Sequence, residues 1–117
     1  MSHKSEYEIQ LDPDIIYFTH AKIRRCFSTG KLISETFDEI KCGLTKISDI
    51  PTITVYHVDG KYYSLNNRRL HLFKMCKQNG LLVDNNINVT VRPIPSKKIL
   101  QRFLTNNCSL IAKTSLK

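Results

Sequence analysis

Apolar and polar positions change period several times along the chain, and each change marks an element. Residues 1–14 are polar and are expected to form a flexible N-terminus, with Pro13 opening the ordered part. The run Ile15–Ile23 begins β-branched and aromatic and predicts a strand ending near Thr19. A basic turn around Gly30 follows. ISETFDEIKCG then predicts a helix, with Ser34 as N-cap, Glu35 in the first turn, Phe37 and Ile40 on its apolar side and Gly43 stopping it. Leu44, Ile47 and Ile50 extend the same buried face. Thr52–Val58 (TITVYHV) is strongly β-branched, Asp59-Gly60 suits a tight hairpin turn, and KYYSL returns as the partner strand. The period then changes to helical, with Leu70, Phe73 and Cys76 one face apart beside Leu72, until Asn79-Gly80. NINVTVR alternates as another strand, Pro93 and Pro95 break it, and KKILQRFL predicts a closing helix capped by Ser96. The residues from 105 to 117 are expected to be a flexible tail, leaving a domain over 15–104. The order strand, helix, hairpin, helix, strand, helix describes a small mixed α/β (α+β) domain with a mixed sheet and three helices.

Length and composition fit that reading. A chain of 117 residues with 41% hydrophobic content supports one modest core without disulfides. Its longest apolar runs are a few residues, too short for a membrane span, and the N-terminus lacks the apolar core of a signal peptide. Cys26, Cys42, Cys76 and Cys108 are widely spaced and include no C-x-x-C pair. Reduced thiols in a cytoplasmic or nuclear protein are expected, and no metal site is implied. The net charge of +8 favours a polyanion or a multiply charged phosphate ligand.

The charge is most suggestive in NNRR, Asn66 to Arg69, where strand period gives way to helix period. Arginines in a first helical turn oppose the macrodipole and become reasonable when an anion sits there. Asn66 or Asn67 can cap the helix, and the doublet can turn a corner in the left-handed conformation. Arg68 and Arg69 would then hold phosphate by charge-assisted, forked bonds. Two solvated arginines on an exposed turn are the competing reading. The second basic cluster, His20 to Lys31, carries Lys22, Arg24 and Arg25 beside the S-T-G-K turn of Ser28, Thr29, Gly30 and Lys31. Arg25 and Leu32 occupy positions that rule out a Walker A loop, yet the turn still offers hydroxyls and N–H groups to phosphate.

The stretch DGKYYSLNNRRLHLFKMCKQNG resembles the D-G-x-Y-x-L-x-G-E-R-R motif of the ParB/sulfiredoxin superfamily, including its uncharacterised eukaryotic members that read N-N-R-R. The likeness covers roughly residues 15–95, with ETFDEIKCG, the hairpin and INVTVRPI in that fold's order. It implies a phosphate-binding corner. Asn66 matches the motif glycine, Asn67 the glutamate, and Arg68 and Arg69 the two arginines. ParB-like proteins grip a nucleotide triphosphate there, free-serine kinases use the same corner, and some relatives are nucleases. The resemblance therefore implies ATP or another nucleotide with magnesium as ligand, and a phosphotransferase or hydrolase as the reaction class. In the resembling fold the segment after the first strand approaches the R-R helix, so the second cluster is expected to face the same cleft; Lys22, Arg24, Arg25 and His71 are further accessory candidates.

Two departures temper the activity. The sulfiredoxin catalytic cysteine position is Asn67, and Cys76 lies on the buried face, so sulfinic-acid reduction is not expected. The ParB glutamate is also replaced by Asn67. Asp38, His57 and His71 are the remaining acid/base candidates, and they form no convincing catalytic pair. Missing carboxylates favour binding over turnover. A non-catalytic nucleic-acid or protein-interaction module using the same basic cleft is the alternative, with Tyr62 or Tyr63 on the hairpin available to stack a base.

Overall fold

The computed structural model describes residues 6–20, 22–93, 96–98, 101, 108–110 and 113–115. Its described part is a small α+β domain built on a mixed five-stranded sheet and two α-helices. The strands are β1 (Tyr7–Leu11), β2 (Ile16–Tyr17), β3 (Lys22–Arg24), β4 (Ile53–Val58), β5 (Lys61–Ser64), β6 (Ile87–Arg92) and β7 (Lys113–Ser115). The helices are α1 (Ile33–Lys41) and α2 (Asn67–Gln78). The main sheet runs β1-β6-β4-β5-β2, with β4 and β5 antiparallel and β4 and β6 parallel. β3 and β7 form a separate parallel pair.

The hairpin turns as its sequence requires. Asp59 at φ 50° and Gly60 at φ 79° both adopt the left-handed region, the conformation whose twist matches the flanking strands. Register then sets the core. Ile53 and Val55 pair with Val89 and Val91, so one face of β4 and β6 is a continuous apolar surface. Ile33, Phe37 and Ile40 of α1 and Leu70, Phe73 and Cys76 of α2 close over the same core. Burying each of the Ile, Leu and Phe side chains is worth about 1.5–3 kcal/mol. α2 ends at Asn79 and Gly80, where Gly80 at φ 69° lets the Leu81 N–H return to the Cys76 carbonyl at 2.9 Å.

Several expectations change. Tyr7–Leu11, read as part of a flexible N-terminus, forms β1 and pairs antiparallel with Ile87–Val91. Its alternation is shallow because only Ile9 and Leu11 pack on the core. The strand expected from Ile15 begins one residue later and spans two residues, because Pro13–Ile15 forms a 3-10 turn capped by Asp12. Ser34 is inside α1. Its N-terminus is instead closed by the Leu32 N–H donating to Glu35 Oε1 at 2.9 Å. Leu44 is exposed, not buried with Ile47 and Ile50. Within the expected tail, Lys113–Ser115 pairs with Lys22–Arg24. The closing helix expected over KKILQRFL lies largely outside the described residues. None of the described helices is long and apolar enough to cross a membrane.

Candidate functional site

The strand-to-helix corner after β5 is fixed by two asparagines acting as struts. Asn66 is the N-cap residue of α2, but its side chain makes no capping bond. Its Oδ1 instead accepts the Thr54 N–H at 2.8 Å, tying the corner to β4. Asn67 reaches the link between β2 and β3. Its Oδ1 accepts the Thr19 N–H at 3.0 Å, and its Nδ2 donates to Thr19 Oγ1 at 2.9 Å. The buried Thr19 hydroxyl in turn donates to the Ser64 carbonyl at 3.0 Å. Neither asparagine is left-handed: Asn66 has φ −132° and ψ 69°, and Asn67 begins the helix. The doublet is there for its carboxamides, not for the backbone freedom expected of it.

Diverting Asn66 has a chemical consequence. The first turn of α2 has no side-chain cap and no acidic residue, so its N–H groups and the positive end of the helix dipole are left to other partners. Arg68 and Arg69 stand in that turn. Arg68 Nη1 donates to the Cys26 carbonyl at 2.8 Å and Arg69 Nη1 to the Thr52 carbonyl at 2.7 Å. Those bonds aim the guanidiniums without neutralising them, and each fork retains further N–H donors. Burial presses the Arg69 guanidinium below its ordinary value, the mark of a partly dry position, and it stays cationic.

The corner opens on a cleft of about 430 Å³. Asn66, Asn67, Arg68 and Arg69 form one wall, and Lys22, Arg24 and Ser28 form the other. Two basic segments more than forty residues apart in sequence thus face a single space, joined by the Asn67–Thr19 and Arg68–Cys26 bonds. His20, Ile23, Phe27 and Leu65 complete the lining among the described residues and were missed from sequence. Their only signal was adjacency to the charged positions.

The remaining candidates fall elsewhere. Thr29, Gly30 and Lys31 do not line the cleft. The turn folds onto itself, with Phe27 N–H donating to the Lys31 carbonyl at 2.8 Å, and Lys31 Nζ donates to Glu39 Oε1 at 2.6 Å. Arg25 is not among the lining residues, and its carbonyl accepts the Ile33 N–H at 2.8 Å. His71 is half-buried on α2 near Phe18, and burial together with Lys74 lowers its pKa. Asp38 is exposed on α1, and His57 stacks on Tyr62 at a ring separation of 4.4 Å at the hairpin. Cys76 is fully buried and its thiol is pushed up to about 11, consistent with a small apolar side chain. Among the described residues no group of three or more His, Cys, Asp or Glu side chains is placed to hold a metal.

No protein-family model, curated protein or solved structure matches the chain.

Proposed function

We propose that the chain is a nucleotide-binding domain of the ParB/sulfiredoxin type, taking the ligand's phosphates at the corner where β5 enters α2. The observation that carries this reading is the convergence of Lys22, Arg24, Arg68 and Arg69 on one cleft with no Asp or Glu carboxylate within 4.0 Å of any of them among the described residues. Holding four cations together without counter-charge is costly unless an anion joins them. The uncapped first turn of α2 supplies N–H donors at the same place. Phe27 and Leu65, both partly exposed, add apolar surface to the lining against which a base can rest. The order of α1, hairpin, α2 and β6 also agrees with the order that the resemblance implies. Asn66 and Asn67 support the site as struts, and Ser28 is the one residue of the S-T-G-K turn within reach.

The test is thermal unfolding with ATP, CTP, GTP, ADP and a short single-stranded oligonucleotide. At about a hundred times its Kd, a ligand should stabilise by about 2.7 kcal/mol, several degrees for a domain this size. Arg68→Ala/Arg69→Ala should abolish the shift. Because those guanidiniums also hold backbone carbonyls, Lys22→Ala/Arg24→Ala, at exposed strand positions, gives an independent loss of binding in a folded protein. A shift with the oligonucleotide alone would favour the nucleic-acid module. A folded protein unmoved by every ligand would overturn the reading.

A further inference from the structure

Resting on that nucleotide-binding reading, we infer that the cleft takes its polyphosphate in the metal-free form, with magnesium competing for the ligand instead of joining the complex. The resemblance led to the opposite expectation, a nucleotide accompanied by magnesium, and the donor set does not fit it.

The chain has ten Asp and Glu side chains, and all ten lie among the described residues, so the position of every side-chain carboxylate is known. None lines the cleft. Most are committed elsewhere. Asp12 and Asp14 hold Lys77, Glu39 holds Lys31, and Glu6 faces Arg92 at 3.5 Å. Glu35 and Asp49 accept backbone N–H groups at the starts of α1 and the following turn. Protein-bound magnesium on a phosphate ligand is ordinarily held through one or two carboxylates. The neutral oxygens available are poor substitutes. The Asn66 and Asn67 carboxamide oxygens already accept N–H groups from Thr54 and Thr19, which leaves the Ser28 hydroxyl as the remaining side-chain oxygen of the lining among the described residues.

Charge points the same way. Lys22, Arg24, Arg68 and Arg69, with the N-terminal end of α2, surround the space a phosphate chain would fill. A divalent cation on that chain would cancel part of the negative charge that the protein recognises, and would stand among like charges with no Asp or Glu carboxylate in the lining beside it. The cleft is matched to a bare polyphosphate.

Calorimetric titration of ATP and of inorganic tripolyphosphate, in EDTA and in excess magnesium at matched ionic strength, decides the point. Both ligands should bind about tenfold or more tightly in EDTA, because charge lost to chelation is poorly replaced in a partly dry cleft. Equal or tighter binding with magnesium would overturn the inference while leaving the nucleotide reading intact. No binding under either condition would overturn both. Ser28→Asp, at an exposed position, places a carboxylate in the lining. It should weaken metal-free binding and narrow the gap between the two conditions. An unchanged gap would count against the charge-matching basis of the inference.

Discussion

At the scale of single residues, charge is a poor guide to role until its partner is known. Lys22 and Lys31 look equivalent in sequence, both basic and both near Ser28. Lys31 spends its charge on Glu39, whereas Lys22 lines the cleft without an Asp or Glu partner among the described residues. Lys31→Ala should therefore leave nucleotide affinity within about twofold, as an exposed ion pair contributes little. Lys22→Ala should weaken it by about fivefold or more, as loss of one charge-assisted contact implies. Titration of both variants checks the contrast. Thr19 makes the converse case, an uncharged residue with a central position. Its hydroxyl accepts from Asn67 Nδ2 and donates to the Ser64 carbonyl. Thr19→Val keeps the shape and leaves both partners wanting, so it should cost about 1–3 kcal/mol in chemical denaturation.

At the scale of elements, α2 is held at both ends by side chains far away in sequence. Asn67 secures its start, and Lys77 near its end donates to Asp12 at 2.7 Å and to Asp14 at 2.8 Å. Burial pushes the Asp12 carboxyl up, but the Lys77 hydrogen bond, with a backbone bond and the nearby lysines, brings it below its ordinary value. The Asp12 bond, then the Asp14 bond, raise Lys77. The signs set a window. Asp12, depressed in the folded state, contributes above its unfolded value of about 4 and loses that contribution as pH falls through its folded value. Lys77, raised when folded, contributes below its unfolded value of about 10.4 and loses it as pH climbs through the folded value. Wild type should thus exceed Lys77→Met in stability between those limits, and the two curves should converge at both extremes. Denaturation across pH tests this, and a constant difference would refute it.

The same elements show what was legible in the sequence. The hairpin, α2 and β6 announced themselves because strong local preferences, Asp59-Gly60 and the alternation of INVTVR, agree with their tertiary surroundings. β1 was hidden because an edge strand buries one side weakly, so Tyr7, Glu8 and Gln10 look like a polar tail. NNRR was legible as a corner, while the use of its carboxamides was not. Their partners, Thr19 and Thr54, lie 48 and 12 residues away, and no local pattern encodes such pairings. The S-T-G-K turn failed for the same reason, since Glu39 had to be folded against Lys31 before the lysine's commitment was visible.

At the scale of the whole molecule, acidic and basic groups are segregated by how they are used. All ten Asp and Glu carboxylates lie between Glu6 and Asp84, and the cleft receives none of them. The cleft's far wall is the short strand β3, and its strand partner among the described residues is β7, Lys113–Ser115. Three residues of ladder near the C-terminal end of the sequence therefore brace the backbone that carries Lys22 and Arg24. Removing the residues after 112 should cost affinity before it costs fold, since β7 adds nothing to the five-stranded sheet. Titration and unfolding of that truncation would separate the two effects. In engineering terms, β7 would act as a tuning screw for the proposed site: a fusion, a tag or a binding protein that pulls on Lys113–Ser115 should change the affinity for the proposed ligand from outside the cleft.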